Sequence, residues 1–375
     1  MNNDFDIAII GAGIAGASTA WALLEAAPGL RVALIEMEER PGYHTTGRSA
    51  AVWIESYGGP GIVPLSRASR GFFGDPPPGF PPLLHHRPDL FIEGPDDPNG
   101  LDRMAAEFDE GGVRYDWLDE DQMAALPTGP MLRPGWRRRG LVQPESYDIE
   151  VAGLHQGFLR GCGDAKPTLI CNAEVTGLER VDGRWHIATK AGEVTAATIV
   201  NAAGPWADTL AVMAGAQPLG LMPLRRTMAV LRIEPEPPAD MMLVMDAAGE
   251  FYFKPEGSRL WLSPHDEIPD EAHDVRPDEM DLAVVIDRFE QATTVQVKRL
   301  ESSWAGLRTF ARDRLPVFGF DPAVSGLFWC AGQGGFGIQT APAAGRLCAA
   351  LLTGATPPFD AAPYAADRPG LRSHT

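Results

Sequence analysis

The stretch from Asp6 to Glu36 limits what this chain can fold into more than any other. Asp6-Ile7-Ala8-Ile9-Ile10 is a short apolar run rich in isoleucine, the composition of a strand buried on both faces. Gly11-Ala12-Gly13-Ile14-Ala15-Gly16 follows without a gap; Ala17 to Ala27 then reads as a helix stopped by Pro28-Gly29. A second buried strand, Arg31-Val32-Ala33-Leu34-Ile35, ends on the acid Glu36. Strand, glycine turn, helix, strand and acid stand in the order a dinucleotide site requires.

Each residue type has a mechanical reason. Gly11 permits a sharp turn, Gly13 lacks the Cβ that would hold a pyrophosphate off the backbone, and Gly16 lets the helix lie close against the strand. The free N–H groups and positive end of that helix face the diphosphate, and Ile14 and Ala15 in the turn are expected cofactor contacts. Glu36 lies about twenty residues beyond Gly16, where a carboxylate accepts from both ribose hydroxyls and repels a 2′-phosphate.

A chain of 375 residues suits two domains, and 45% hydrophobic with 22% charged residues is a globular composition. A net charge of −18 argues against nucleic acid as a partner. Cys162, Cys171, Cys330 and Cys348 show neither disulfide nor metal spacing and read as buried thiols in a reducing compartment. Asp4 and Asp6 stand where a signal peptide needs cations, and the glycines within Ile7–Leu24 belong to the turn and not to a membrane span. The expected location is the cytoplasm.

After Glu36 comes a loop of small and hydroxyl residues with one arginine, Arg40 to Ala51, suited to donating to a diphosphate and passing a flat ring. Asp75 to Pro82 is too proline-rich for helix or central strand and reads as a stiff crossing. Short helices are expected at Leu101–Glu110, Asp119–Ala125 and Ile149–Arg160. Strands follow at Arg184–Thr189 and Ala197–Val200, the latter running into small residues at Asn201–Trp206. Thr227–Ile233, Phe251–Lys254 and Leu260–Ser263 read as an antiparallel sheet, and Pro277 as the first residue of a helix through Gln291. Leu327–Cys330 is a buried strand, then a glycine-rich turn to Thr340, then a helix from Ala343 to Leu352. Two strand–glycine turn–helix units at opposite ends of the chain point to one long ligand touched by both, and FAD has that length. A helix N-terminus at its flavin stabilises the anionic reduced ring by roughly 0.3–1 kcal/mol if exposed.

Seven stretches resemble the FAD-dependent D-amino acid oxidase superfamily, and within it the bacterial D-arginine dehydrogenases: PGYHTTGRSAA (41–51), ASRGFFGDPPPGF (68–80), VNAAGPWAD (200–208), FYFKP (251–255), EAHDVRP (271–277), WAGLRTF (304–310) and GQGGFGIQT (332–340). The resemblance implies an α/β fold, with a Rossmann-like FAD-binding domain (GR2/DAO type) and a second α+β substrate domain on an antiparallel sheet. It assigns 1–84, 145–218 and 303–375 to the first and 85–144 and 219–302 to the second. It implies noncovalent FAD, since Arg308–Phe320 holds no cysteine where covalent relatives attach theirs. Contacts to FAD would come from His44, Thr45, Thr46, Gly47, Arg48, Ser49, Ala50 and Ala51, then Val175, Ala203, Gly204 and Trp206. Arg308, Gly334, Gly335, Gly337, Ile338, Gln339 and Thr340 complete the set.

The resemblance also makes Arg226 and Arg308 the clamp for a substrate carboxylate, with Tyr57 and Tyr252 as hydroxyl donors, a geometry for which planar guanidinium is suited. Gly335 offers its carbonyl to the amine, Gln339 lines the same wall, and Ser49–Gly61 forms a lid carrying Tyr57. Asp89 matches an acid that meets a distal substrate cation, one methylene shorter than the family's glutamate. Val52 and Ile54 replace a histidine and a threonine of the D-arginine enzymes. Two polar-to-apolar exchanges favour apolar substrate groups by roughly 1–3 kcal/mol.

The activity implied is oxidation of a D-amino acid, apolar or basic, to an imino acid that water converts to a 2-oxo acid and ammonia. Hydride passes from Cα to flavin N5, and a quinone- or dye-like acceptor reoxidises the flavin. A glycine- or sarcosine-type amine oxidase, a 2-hydroxy-acid dehydrogenase and a nonenzymatic flavin-binding protein are the alternatives, and no metal is expected.

Overall fold

The computed structural model describes residues 3–372. Strand Asp4–Ile10 lies between Val32–Ile35 and Gly192–Asn201 and runs parallel to both. Every residue of Val32–Ile35 is buried, as its unbroken apolar run requires. The first helix spans Ile14–Ala26 with Gly13 as its N-cap, so it begins inside the glycine turn rather than after it.

Strand Gly192–Asn201 is long enough to change neighbours along one side. Its first half pairs antiparallel with Arg184–Thr189, and its last residues pair in parallel with Leu327–Ala331. The first and last strand–turn–helix units therefore stand one strand apart, with both glycine turns opening at the same carboxyl edge of the sheet. Their helices, Ile14–Ala26 and Gly337–Thr353, pack so closely that a Cβ on Gly345 would lie 2.6 Å from the Ser18 carbonyl oxygen. The second of these helices starts at Gly337 and not at the expected Ala343, because Pro342 is accommodated within it.

The second sheet has nine strands. It is antiparallel, as expected, except that Asp89–Ile92 runs parallel to Leu243–Asp246. Its longest pairing joins Met222–Glu234 to Gln296–Phe310, with Met222 opposite Phe310 and Glu234 opposite Gln296. The boundary expected at 302/303 falls inside that second strand, which the sheet keeps whole.

Two further helices depart from the sequence reading. Val63–Gly74, which the sequence did not suggest, buries Leu65, Phe72 and Phe73. Glu279–Ala292 is capped by Asp278, whose carboxylate accepts from the Met280 and Asp281 N–H groups, so Pro277 precedes the cap. Among the described residues no helix is long and apolar enough to cross a membrane, and no acid, histidine and cysteine group is suited to a metal.

Candidate active site

A cavity of about 380 Å³ begins at the first glycine turn and ends against the second sheet. At the turn, Gly11 has φ +106, and a Cβ there would lie 2.3 Å from the Ala202 carbonyl oxygen. Gly13 faces the cavity, and its missing Cβ would meet only the Thr46 hydroxyl at 3.2 Å. Thr46 Oγ1 accepts from the Ile14 N–H at 2.9 Å, so the hydroxyl loop supplies the cap that Gly13 cannot. Glu36 is buried, with Oε2 accepting from Ala12 N–H at 3.1 Å and Oε1 from Glu38 N–H at 3.0 Å. Burial raises its pKa, and those backbone donors hold part of the rise back.

His44, Thr45, Thr46, Arg48, Ser49, Ala50 and Ala51 all line the cavity, as do Val175, Ala203, Gly204 and Trp206. Arg48 is not a free phosphate donor, however. Its guanidinium donates to the Val275 and Ala305 carbonyls at 3.1 and 2.9 Å and pairs with Asp274, tying the loop to the second sheet. Gly47 does not reach the cavity; a Cβ there would lie 2.6 Å from the Gly42 carbonyl oxygen. Gly16 is also absent from the wall, since its missing Cβ would stand 1.9 Å from the Gly11 carbonyl oxygen and its role is helix-on-strand packing.

At the far end of the chain, Gly334, Gly335, Gly337, Ile338 and Gln339 line the cavity, whereas Thr340 turns its hydroxyl to the Phe336 carbonyl at 2.9 Å. Gln339 pins the Tyr57 loop. Its Oε1 accepts from Ile54 N–H and its Nε2 donates to the Tyr57 carbonyl, both at 3.3 Å, and to Ser66 Oγ at 2.8 Å.

Arg226 and Arg308 come from the long strand pair, with Arg226 opposite Gly306 and Arg308 opposite Leu224. Both are 8% exposed and both line the cavity. Arg226 Nη2 and Arg308 Nε are buried with no hydrogen-bond partner. Tyr57 and Tyr252 share this wall, and Val52, Ile54, Met228, Leu243 and Met245 give it an apolar side. Burial lowers the Arg308 pKa and raises that of Tyr252. His265, at φ +54 with its ring edge-on to Tyr252, is held neutral by burial and the two guanidinium charges, its pKa falling to about 3.

Asp89 is not on this wall. It is fully buried on its strand, beside Leu243, and neither carboxylate oxygen has a partner. Burial pushes its pKa well above the usual carboxylate range, which disfavours the charged form. Its register partner Leu243 is on the wall. The sequence reading also missed Glu267, whose Oε1 accepts from Arg308 Nη2 at 3.2 Å and Arg314 Nη2 at 2.8 Å. No motif surrounds Glu267, and its partners lie 41 and 47 residues away.

These residues fit FAD at the places the fold provides. A Cβ-free turn and a helix N-terminus face one end of the cavity, an acid suited to ribose lies beside them, and a second glycine turn meets the other end. Fold and site thus define a flavin-dependent oxidoreductase. The FAD dependent oxidoreductase family model (DAO) matches residues 6–351, and the chain belongs to that family. It is 28% identical to mouse (Mus musculus) mitochondrial dimethylglycine dehydrogenase over 68% of this chain but only 32% of that protein, so it spans about a third of that relative's length. It is 28% identical to Pseudomonas aeruginosa glycine oxidase over 96% of this chain and 98% of that one. The crystal structure of Geobacillus kaustophilus glycine oxidase superposes with a TM-score of 0.81 at 22% identity, covering 97% and 98% of the two chains.

Proposed function

We propose that the chain oxidises the Cα–N bond of an amino acid whose carboxylate rests on Arg226 and Arg308, with apolar D-amino acids preferred. The observation that carries this reading is the pair of unpartnered guanidinium N–H groups on two buried arginines that line the cavity. A buried donor without an acceptor costs about 1–3 kcal/mol, a deficit that a substrate carboxylate removes. Bound FAD supplies the two-electron sink. The chain's own residues do the rest: the arginines orient the carboxylate, the Gly335 carbonyl accepts from the amine, and Val52, Ile54, Met228, Leu243 and Met245 exclude water from the side chain. The product is an imino acid, which water converts to a 2-oxo acid and ammonia, and a quinone- or dye-like acceptor takes the electrons.

The D configuration rests on the motifs shared with the D-arginine enzymes. Apolar preference rests on this wall and on the absence of Asp89 from it, which leaves a basic side chain no carboxylate to meet. The near-complete match to a glycine oxidase supports a second reading, oxidation of glycine or a small secondary amine. Anaerobic bleaching of the flavin against D- and L-amino acids, glycine, sarcosine and 2-hydroxy acids separates the two. D-Met, D-Leu and D-Phe should bleach fastest; bleaching by glycine or sarcosine alone would replace the first reading with the second.

A further inference from the structure

Glu267 meets the arginine pair from outside the cavity. Its side chain is 32% exposed where those of Arg226 and Arg308 are 8% and 10% exposed, and it is not among the cavity-lining residues. Its Oε1 lies 3.2 Å from Arg308 Nη2, 2.8 Å from Arg314 Nη2 and 3.6 Å from Arg226 Nη2. One carboxylate oxygen thus faces three guanidinium groups. Asp266, its neighbour in sequence, accepts from the Thr227 N–H at 2.7 Å and Oγ1 at 2.8 Å, and its Oδ1 lies 3.8 Å from Arg226 Nε. Burial alone would raise the Glu267 carboxyl, but Arg314, Arg308 and Arg226 bring it below its usual range, so it is anionic at neutral pH.

Arg308 therefore already holds one fixed carboxylate by Nη2 while its buried Nε makes no hydrogen bond. Arg226 Nε donates to the Asp266 carbonyl at 2.8 Å, and its Nη2 makes no hydrogen bond but lies 3.6 Å from Glu267 Oε1. The two unbonded donors suit one incoming carboxylate. A second carboxylate on the same ligand would add a negative charge near Glu267 and meet its repulsion.

Resting on the carboxylate-clamp reading above, we infer that Glu267 is a specificity-determining residue that restricts the arginine site to ligands with a single carboxylate. Discrimination comes from repulsion of the wrong ligand as well as attraction of the right one. Like charges a few ångströms apart in a half-buried site change a binding ratio by roughly tenfold or more. Arg314 is the counterpart: it holds Glu267 in place and adds the third positive charge.

The test is titration of the FAD-loaded enzyme with acetate and with malonate, read from the flavin absorbance. In the wild type, malonate should bind no better than acetate. Glu267→Gln should improve malonate over acetate by about tenfold or more. Arg314→Gln, which keeps Glu267 and removes a cation, should shift the ratio the other way. Equal changes for both anions in Glu267→Gln, or no change, would overturn the selectivity role while leaving the clamp standing. Should that variant not hold flavin, Arg314→Gln decides by the direction of its shift. If neither anion perturbs the wild-type flavin, the clamp itself fails and this inference with it.

Discussion

Gly335 and Arg308 are in contact at a distance that only glycine permits. A Cβ at position 335 would lie 2.5 Å from Arg308 Nη2 and 2.6 Å from its Cζ. The turn of one glycine-rich unit thus fixes where a guanidinium from the other sheet can lie. Gly335→Ala should push Arg308 off its position, with overpacking of roughly 1–3 kcal/mol. The expected kinetic result is a KM for carboxylate substrates raised about tenfold or more, with FAD retained. Steady-state kinetics alongside flavin content checks it; an unchanged KM would show that Arg308 does not hold the carboxylate.

Arg226 and Arg308 should differ from each other when replaced. Arg308 touches Glu267 and has Nε free, whereas Arg226 also supports the loop through the Asp266 carbonyl. Arg308→Met removes a charged donor pair, and a fall in kcat/KM of roughly 100-fold is expected with little loss of melting temperature. Arg226→Met should lose a similar factor and also lower the melting temperature, because the Asp266 carbonyl loses its donor. Arg308→Lys keeps charge without the planar fork and should recover only part of the loss. Full activity in both Met variants would remove the clamp.

The contrast among the first glycines separates folding from cofactor binding. Gly11→Ala places a Cβ 2.3 Å from a backbone carbonyl oxygen at φ +106, so it should destabilise the fold by a few kcal/mol, about 3 or more. Gly13→Ala meets only the Thr46 hydroxyl, at 3.2 Å. Its methyl instead faces the cavity where the diphosphate would lie. Gly13→Ala should keep the apoprotein melting temperature close to wild type and weaken FAD binding by about tenfold or more, measured by calorimetry or flavin fluorescence. Equal loss of stability in both variants would argue that Gly13 is there for packing.

What was legible beforehand follows from how local each signal is. The Asp6–Glu36 unit could be read because its strand, turn, helix and acid lie within one short stretch, each next to what it requires. The start of the helix Gly337–Thr353 was hidden by Pro342, a residue that marks a break unless neighbours accommodate it. Helix Val63–Gly74 was obscured by Pro64 and by Gly71 and Gly74, and its apolar face at Leu65, Phe72 and Phe73 acquires meaning only against Trp21 and Phe158. Glu267 was illegible for the same reason: its partners come from the strand containing Arg308 and the turn containing Arg314, far along the chain. Asp89 was misplaced because a motif match gives a position and not an exposure: it shares the sheet face of its register partner Leu243 but is fully buried and absent from the cavity lining.

The buried Asp89 carries a pH signature of its own. Its folded pKa is raised well above the ordinary 3.8 by burial, with no partner to hold the charge. Below the unfolded value both states are protonated and Asp89 contributes no pH dependence. As pH rises past about 4 the unfolded chain releases the proton while the folded chain keeps it, so folding becomes less favourable until the folded pKa is passed. Asp89→Asn is neutral throughout and similar in shape. It should match the wild type in stability near pH 4 and exceed it at neutral pH, by about 1–3 kcal/mol for a buried group without partners. Urea unfolding of both proteins at several pH values from about 4 to 8 measures the difference directly. A difference that stays flat across that range would mean that Asp89 is ionised in the folded protein as in the unfolded one.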